Sequence, residues 1–177
     1  MKFKVIVFLN LVILLISSSS YADDAKSLAR LEPADGKCYA GANLNLGEFS
    51  PEKFNSQTGF KHAIFVDFFH FPIKDGKTRL ENFIKKCKEA NAIALITLEP
   101  FEGLKTVTKE ESAKFAEICA KEDWAFIVRF AHEMNGSWYP WGQQPKIYIE
   151  KFRLLADTIH EKCPKGAMLW APNCGHG

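Results

Sequence analysis

Short apolar runs rich in β-branched and aromatic residues alternate with amphipathic stretches along this chain, and that alternation limits the fold more than any other feature. The runs are Cys38–Leu46, His62–Phe69, Ala92–Leu98, Trp124–Phe130 and Met168–Ala171. Near-continuous apolar character marks strands buried on both faces, as in a parallel sheet. Between the runs lie helix signals. Ser50 and Pro51 read as an N-cap and first helical residue, and Thr78 with Glu81 makes a capping-box pattern ahead of Leu80, Phe83, Ile84 and Cys87. Thr108 caps a helix whose stripe is Ala113, Phe115, Ala116, Ile118 and Cys119. Pro145 opens a long helix with Ile147, Tyr148, Phe152, Leu155 and Ile159 inward, stopped by Cys163-Pro164. Strand, loop and helix recurring at roughly thirty-residue intervals is the grammar of βαβ units. An open doubly wound sheet and a barrel both satisfy it. No Gly-rich phosphate loop follows any strand, which argues against dinucleotide binding.

The first 22 residues stand apart. Lys2 and Lys4 precede an apolar core, Val5 to Ile16, and Ser20-Tyr21-Ala22 gives a small-x-small cleavage pattern. This reads as a secretory signal peptide, too short to favour a membrane span. Residues 23–36 read as a polar leader and 37–177 as one domain. No second long apolar run follows, so an exported protein with no membrane partner is expected. Setting aside the two leader lysines leaves 21 basic and 21 acidic residues, and such a balance recruits neither nucleic acid nor an anionic membrane. A neutral substrate is expected.

The five cysteines are Cys38, Cys87, Cys119, Cys163 and Cys174. In an oxidising compartment pairing is plausible, and an odd count leaves one over. Cys87 and Cys119 fall on successive predicted helices and could face each other. Their spacings suit no zinc module, and His132-Glu133 lacks a second histidine at the helical i+4 position. No metal and no cofactor are expected.

Chemistry concentrates in Arg129-Phe-Ala-His-Glu-Met-Asn-Gly-Ser-Trp-Tyr-Pro-Trp141. The segment leaves a predicted strand, presents His132 and Glu133, and breaks into an Asn-Gly turn carrying three aromatics. A carboxylic acid can protonate a glycosidic oxygen, and aromatic faces stack on sugar rings. His70, Glu99, Glu133 and Asn173 all fall just past predicted strand ends.

This segment resembles the acid/base signature of glycoside hydrolase family 26, whose members include secreted β-mannanases. The family pattern Arg-x-x-His-Glu-Met-Asn-Gly, with a Trp five residues after the Glu, is met without a gap by Arg129, His132, Glu133, Asn135, Gly136 and Trp138. A looser likeness runs from Tyr39 to Asn173 and includes Leu98-Glu99-Pro100 and Leu169-Trp170-Ala171-Pro172-Asn173. The resemblance implies an α/β fold, a TIM (β/α)8 barrel of which about the first five β/α units are present. A complete barrel typically needs ~250 residues, more than this chain supplies. It also implies a retaining mechanism with Glu133 as general acid/base, a role that needs a raised pKa.

His132 would meet hydroxyls of the sugar next to the scissile bond, and Trp138 would form part of a sugar platform. Arg129 is expected to turn inward and hold carboxylates, or to form a structural pair. Tyr139 and Trp141 either extend the platform or pack the loop, and Asn135-Gly136 reads as turn chemistry. Glu99 would shape the pocket, and His70 would line a distal subsite or cap a strand. The family's nucleophile is a second Glu on the seventh strand; it is expected to lie outside this chain, with a missing C-terminal half as partner. The polysaccharide could be mannan, β-1,3-xylan or mixed-linkage β-glucan. The competing expectation is an inactive half-barrel that at most binds oligosaccharide.

Overall fold

The structure, a computed structural model, describes residues 31–44 and 50–175. The signal peptide read over residues 1–22, most of the polar leader and the end of the first predicted strand lie outside the described residues.

The elements are β1 (Gly41–Asn43), α1 (Pro51–Thr58), β2 (Ile64–His70), α2 (Lys77–Glu89), β3 (Ile93–Glu99), a 3-10 turn (Leu104–Thr106), α3 (Lys109–Glu122), β4 (Phe126–Phe130), α4 (Pro145–Lys162) and β5 (Gly166–Leu169). All five strands are parallel and pair in chain order, β1-β2-β3-β4-β5. A doubly wound sheet reverses its strand order partway; consecutive order is how a barrel wall is built. None of the described helices is long and apolar enough to cross a membrane.

The caps show how local sequence starts each helix. Ser50 Oγ accepts from the Lys53 amide at 3.2 Å, and Thr108 Oγ1 does the same for Glu111 at 3.2 Å. The capping box at Thr78 and Glu81 does not form. Helix α2 begins one residue before Thr78, with Gly76 at its N-cap and no side-chain bond there. A glycine cap costs only a few tenths of a kcal/mol, so the Asp75-Gly76 turn sets the start instead.

Register separates the sheet into two unlike faces. Phe65–Ala94–Phe126, Asp67–Ile96–Val128 and Phe69–Leu98–Phe130 lie level across β2, β3 and β4, and all nine are buried. Helices cover this outer face: Phe69 meets Phe83 of α2 at 5.9 Å, and Phe130 stacks on Tyr148 of α4 at 5.9 Å. The interleaved rows, Val66–Leu95–Ile127–Ala167 and Phe68–Thr97–Arg129–Leu169, form the inner face. All but Thr97 keep some solvent exposure. Asp67, the polar break in an apolar strand, sits on the covered side, where Arg79 of α2 and the Phe68 amide both donate to its Oδ1. Burial still pushes its carboxyl above the usual range, against Phe68 and Arg79.

The cysteine expectation needs correction. All five are free thiols, with Cys87, Cys119 and Cys163 buried. Cys87 lies beneath α2, where burial and the Asp67 charge push its thiol up to about 12. Cys119 instead feels Cys163, whose Sγ–H donates to the Ala116 carbonyl at 3.3 Å. Cys87 and Cys119 serve separate contacts because their helices turn these positions to different neighbours.

Where α4 passes β5, room is short. A Cβ on Gly166 would lie 2.5 Å from Phe126 Cζ and 3.0 Å from Ile159 Cγ2. Gly166→Ala should therefore destabilise the fold by about 1–3 kcal/mol through overpacking, read as a lower urea midpoint at unchanged slope.

Candidate active site

Strand β4 ends at Phe130, and the next residues leave it by an uncommon path. Ala131 and Glu133 have φ of 44° and 55°, in the left-handed region that side chains other than glycine seldom occupy. Such strain persists only where neighbours over-determine it. Here the Ala131 amide donates to Leu98 O of β3 at 2.9 Å, and the Glu133 amide donates to Ala171 O beyond β5 at 2.8 Å. The backbone around His132 is thus held from both flanking strands.

Asn135 adds a second tie. Its Nδ2 donates to Asn173 O and its Oδ1 accepts from the Asn173 amide, both at 2.8 Å. An Asn-Gly pair read as turn chemistry therefore also joins two strand-end loops. Gly136 has its own reason. Its amide closes a turn on Glu133 O at 2.9 Å, and a Cβ there would come 2.3 Å from the Trp138 ring. Laid over that glycine, the half-exposed Trp138 indole donates from Nε1 to Glu133 Oε2 at 2.8 Å.

Trp141, expected among the substrate-binding residues, is fully buried. Its Nε1 donates to His132 O at 2.8 Å, and its ring stacks under Tyr139 at 4.3 Å and 11°. Phe101 closes one side at 5.1 Å. An enclosed ring offers no face to a sugar, so Trp141 is the floor of the site.

His132 is also buried, with Nε2 3.2 Å from the Tyr139 hydroxyl and Nδ1 enclosed without a partner among the described residues. Burial, then the Arg129 charge, lower its pKa, while Glu133 opposes them. Arg129 does turn to the inner face. Its Nε donates to Thr97 Oγ1 at 2.9 Å, its guanidinium lies 5.1 Å from the Phe68 ring centre, and the charges of Glu99 and Glu133 act on it. Glu99 lies level with His70 across β2 and β3. Burial raises the Glu99 carboxyl, countered by His70 and Arg129.

His70, Glu99, Arg129, His132, Glu133 and Trp138 are therefore gathered at the C-terminal end of three adjacent strands. Phe68, Phe101 and Tyr139 complete the surroundings. Phe101 follows β3 by two residues, and the rule that strand-end loops carry barrel sites would have found it. Phe68 shares the inner-face alternation of Val66, and its contact with Arg129 needs the register to be seen.

No model of a known protein family matches the sequence, and no curated protein matches it. Solved structures do. An endo-β-1,4-mannanase double mutant from Cellulomonas fimi aligns at TM-score 0.58 and 15% identity, over 85% of this chain and 46% of that one. The YdhT protein from Bacillus subtilis aligns at TM-score 0.54 and 14% identity, over 79% and 57%. A GH26 β-mannanase from Bacteroides ovatus aligns at TM-score 0.48 and 12% identity, over 67% and 46%. The first two establish a shared fold: this is a (β/α)-barrel chain, of which five consecutive strands and the four helices that connect them are described. The chain spans about half the length of the structures it matches.

His132 predicts a pH dependence. Its folded pKa lies below the ordinary 6.5, so the unfolded chain takes up a proton that the folded chain resists. Its contribution to stability is complete above about pH 6.5 and is lost as pH falls through the lowered folded value. Wild type should lose more stability than His132→Gln between about pH 7 and about pH 5, measured by urea unfolding.

Proposed function

We propose that this chain is part of an exported glycoside hydrolase of the family 26 kind, acting on a β-linked mannan, with Glu133 as general acid/base. One observation carries the reading: Glu133 stands at the C-terminal end of β4, gripped by the exposed indole of Trp138. A carboxylic acid with an aromatic plate beside it is suited to receive a glycosidic oxygen. The bond from Trp138 occupies Oε2 as an acceptor, so the transferable proton belongs on Oε1. In the first step that proton passes to the leaving oxygen; in the second, the carboxylate takes one from the incoming water.

Arg129 holds its place through Thr97 and stands between the fields of Glu99 and Glu133. Export is supported by the pattern of residues 1–22. Retaining chemistry also needs a carboxylate ~5–5.5 Å from the acid, on the far side of the sugar. Glu99 ends a strand beside Glu133 rather than opposite it, so we assign the nucleophile to a strand beyond β5. A second reading, sugar binding without turnover, draws on the same half-exposed Trp138 indole at the strand ends.

Mannohexaose binding and reducing-sugar release separate these readings. The 177-residue chain should bind the hexasaccharide and release no reducing sugar. In an assembly containing the remaining strands, turnover should appear and fall roughly 10²–10⁴-fold on Glu133→Gln. Turnover that survives Glu133→Gln would sink the acid/base assignment. No binding by the wild-type chain would sink both readings.

A further inference from the structure

The hydroxyl of Tyr139 faces Nε2 of His132 at 3.2 Å, and the ownership of the proton between them decides what Tyr139 can do. His132 is 7% exposed, and its Nδ1 is enclosed with no partner among the described residues. Burial and Arg129 keep the ring neutral at neutral pH, with one proton on one nitrogen. On Nδ1 that proton would be a buried donor without an acceptor, the rarer kind of orphan. On Nε2 it reaches the Tyr139 oxygen, and the unpaired group left behind is an acceptor, which proteins tolerate better. His132 therefore donates and Tyr139 accepts.

The Tyr139 proton must then turn away from His132. The ring itself is fixed, stacked on Trp141 at 4.3 Å and edge-on to His132 at 4.9 Å, so only the O–H rotor is free. The groups acting on that hydroxyl besides His132 are Glu133, Glu99 and Arg129, the strand-end residues of β3 and β4. Bonded to the residue before Glu133, the hydroxyl stands at the strand ends where the site lies.

We propose that Tyr139 is a substrate-contact residue, its O–H donating to a hydroxyl oxygen of a neutral sugar unit bound beside Glu133. The inference rests on the sugar-cleaving reading and adds to it a donor that ionised carboxylates cannot supply. Donation from His132 into the Tyr139 oxygen polarises the outgoing O–H, so the two residues act in series. His132 is then a positioning residue that reaches the sugar through Tyr139.

Tyr139→Phe tests this, because it keeps the ring on Trp141 and removes only the hydroxyl. With mannohexaose as probe, calorimetry on the folded variant, well below its lowered thermal midpoint, should show binding weakened roughly three- to tenfold. Nitrogen-15 imidazole spectra of wild type should show the His132 proton on Nε2. Binding unchanged in Tyr139→Phe while Trp138→Ala weakens it would overturn the Tyr139 contact and leave the sugar site standing. A His132 proton found on Nδ1 would make Tyr139 the donor to histidine and overturn the contact on independent grounds. No binding by wild type would overturn the sugar site and this contact together.

Discussion

The N–H of Trp141 reaches the His132 carbonyl from inside the protein, with the whole indole out of solvent, and the site geometry depends on that bond. The loop after β4 must bring a histidine, a glutamate and a tryptophan to one place while two of its residues occupy strained backbone. Strain of this kind costs of order 1–3 kcal/mol per residue, so something nearby must offset it. A buried tryptophan, stacked on Tyr139 and walled by Phe101, supplies apolar burial on that scale and satisfies a carbonyl in the same stroke. The Gln143 amide bonded to Met134 O at 2.7 Å then closes the loop above it. Trp138 can remain exposed because Trp141 is not.

The two faces of the sheet show why Glu133 stands where it does. On the outer side, large residues of β2, β3 and β4 meet three helices and leave no polar group except Asp67, which Arg79 and the Phe68 amide engage. On the inner side, apolar side chains give way near the strand ends to Thr97, Arg129, Glu99 and His70. A parallel sheet brings every strand end to the same edge, so polar residues placed at equivalent positions on successive strands meet without any long-range loop. The site is a consequence of register.

Much of this was legible from residues alone, because strands buried on both faces and helices with apolar stripes leave strong periodic marks. Ser50 and Thr108 act as the caps their types suggest, and Cys163-Pro164 ends the last helix. What escaped were choices made by tertiary contact. Thr78 lost the cap to Gly76 because a turn, rather than a side chain, sets that helix start. Trp138 and Trp141 look alike in sequence, three residues apart, yet one covers a glycine in solvent and the other fills the core. Asn135 looked like a turn residue because its partner, Asn173, lies 38 positions away.

The charge arrangement gives the neutrality of His132 a purpose under the proposed chemistry. Arg129 already places one fixed cation that feels both Glu99 and Glu133. A protonated His132 would add a second cation in a buried position close to the first, with no further carboxylate gained to balance it. Burial prevents this by making the imidazolium costly, and Arg129 itself repels the extra charge. The residue before Glu133 can therefore donate a hydrogen bond without carrying a charge. A lysine there would keep a donor and bring the second cation; an alanine would bring no charge and leave the Tyr139 oxygen without its donor. Histidine, held neutral by its surroundings, meets both demands.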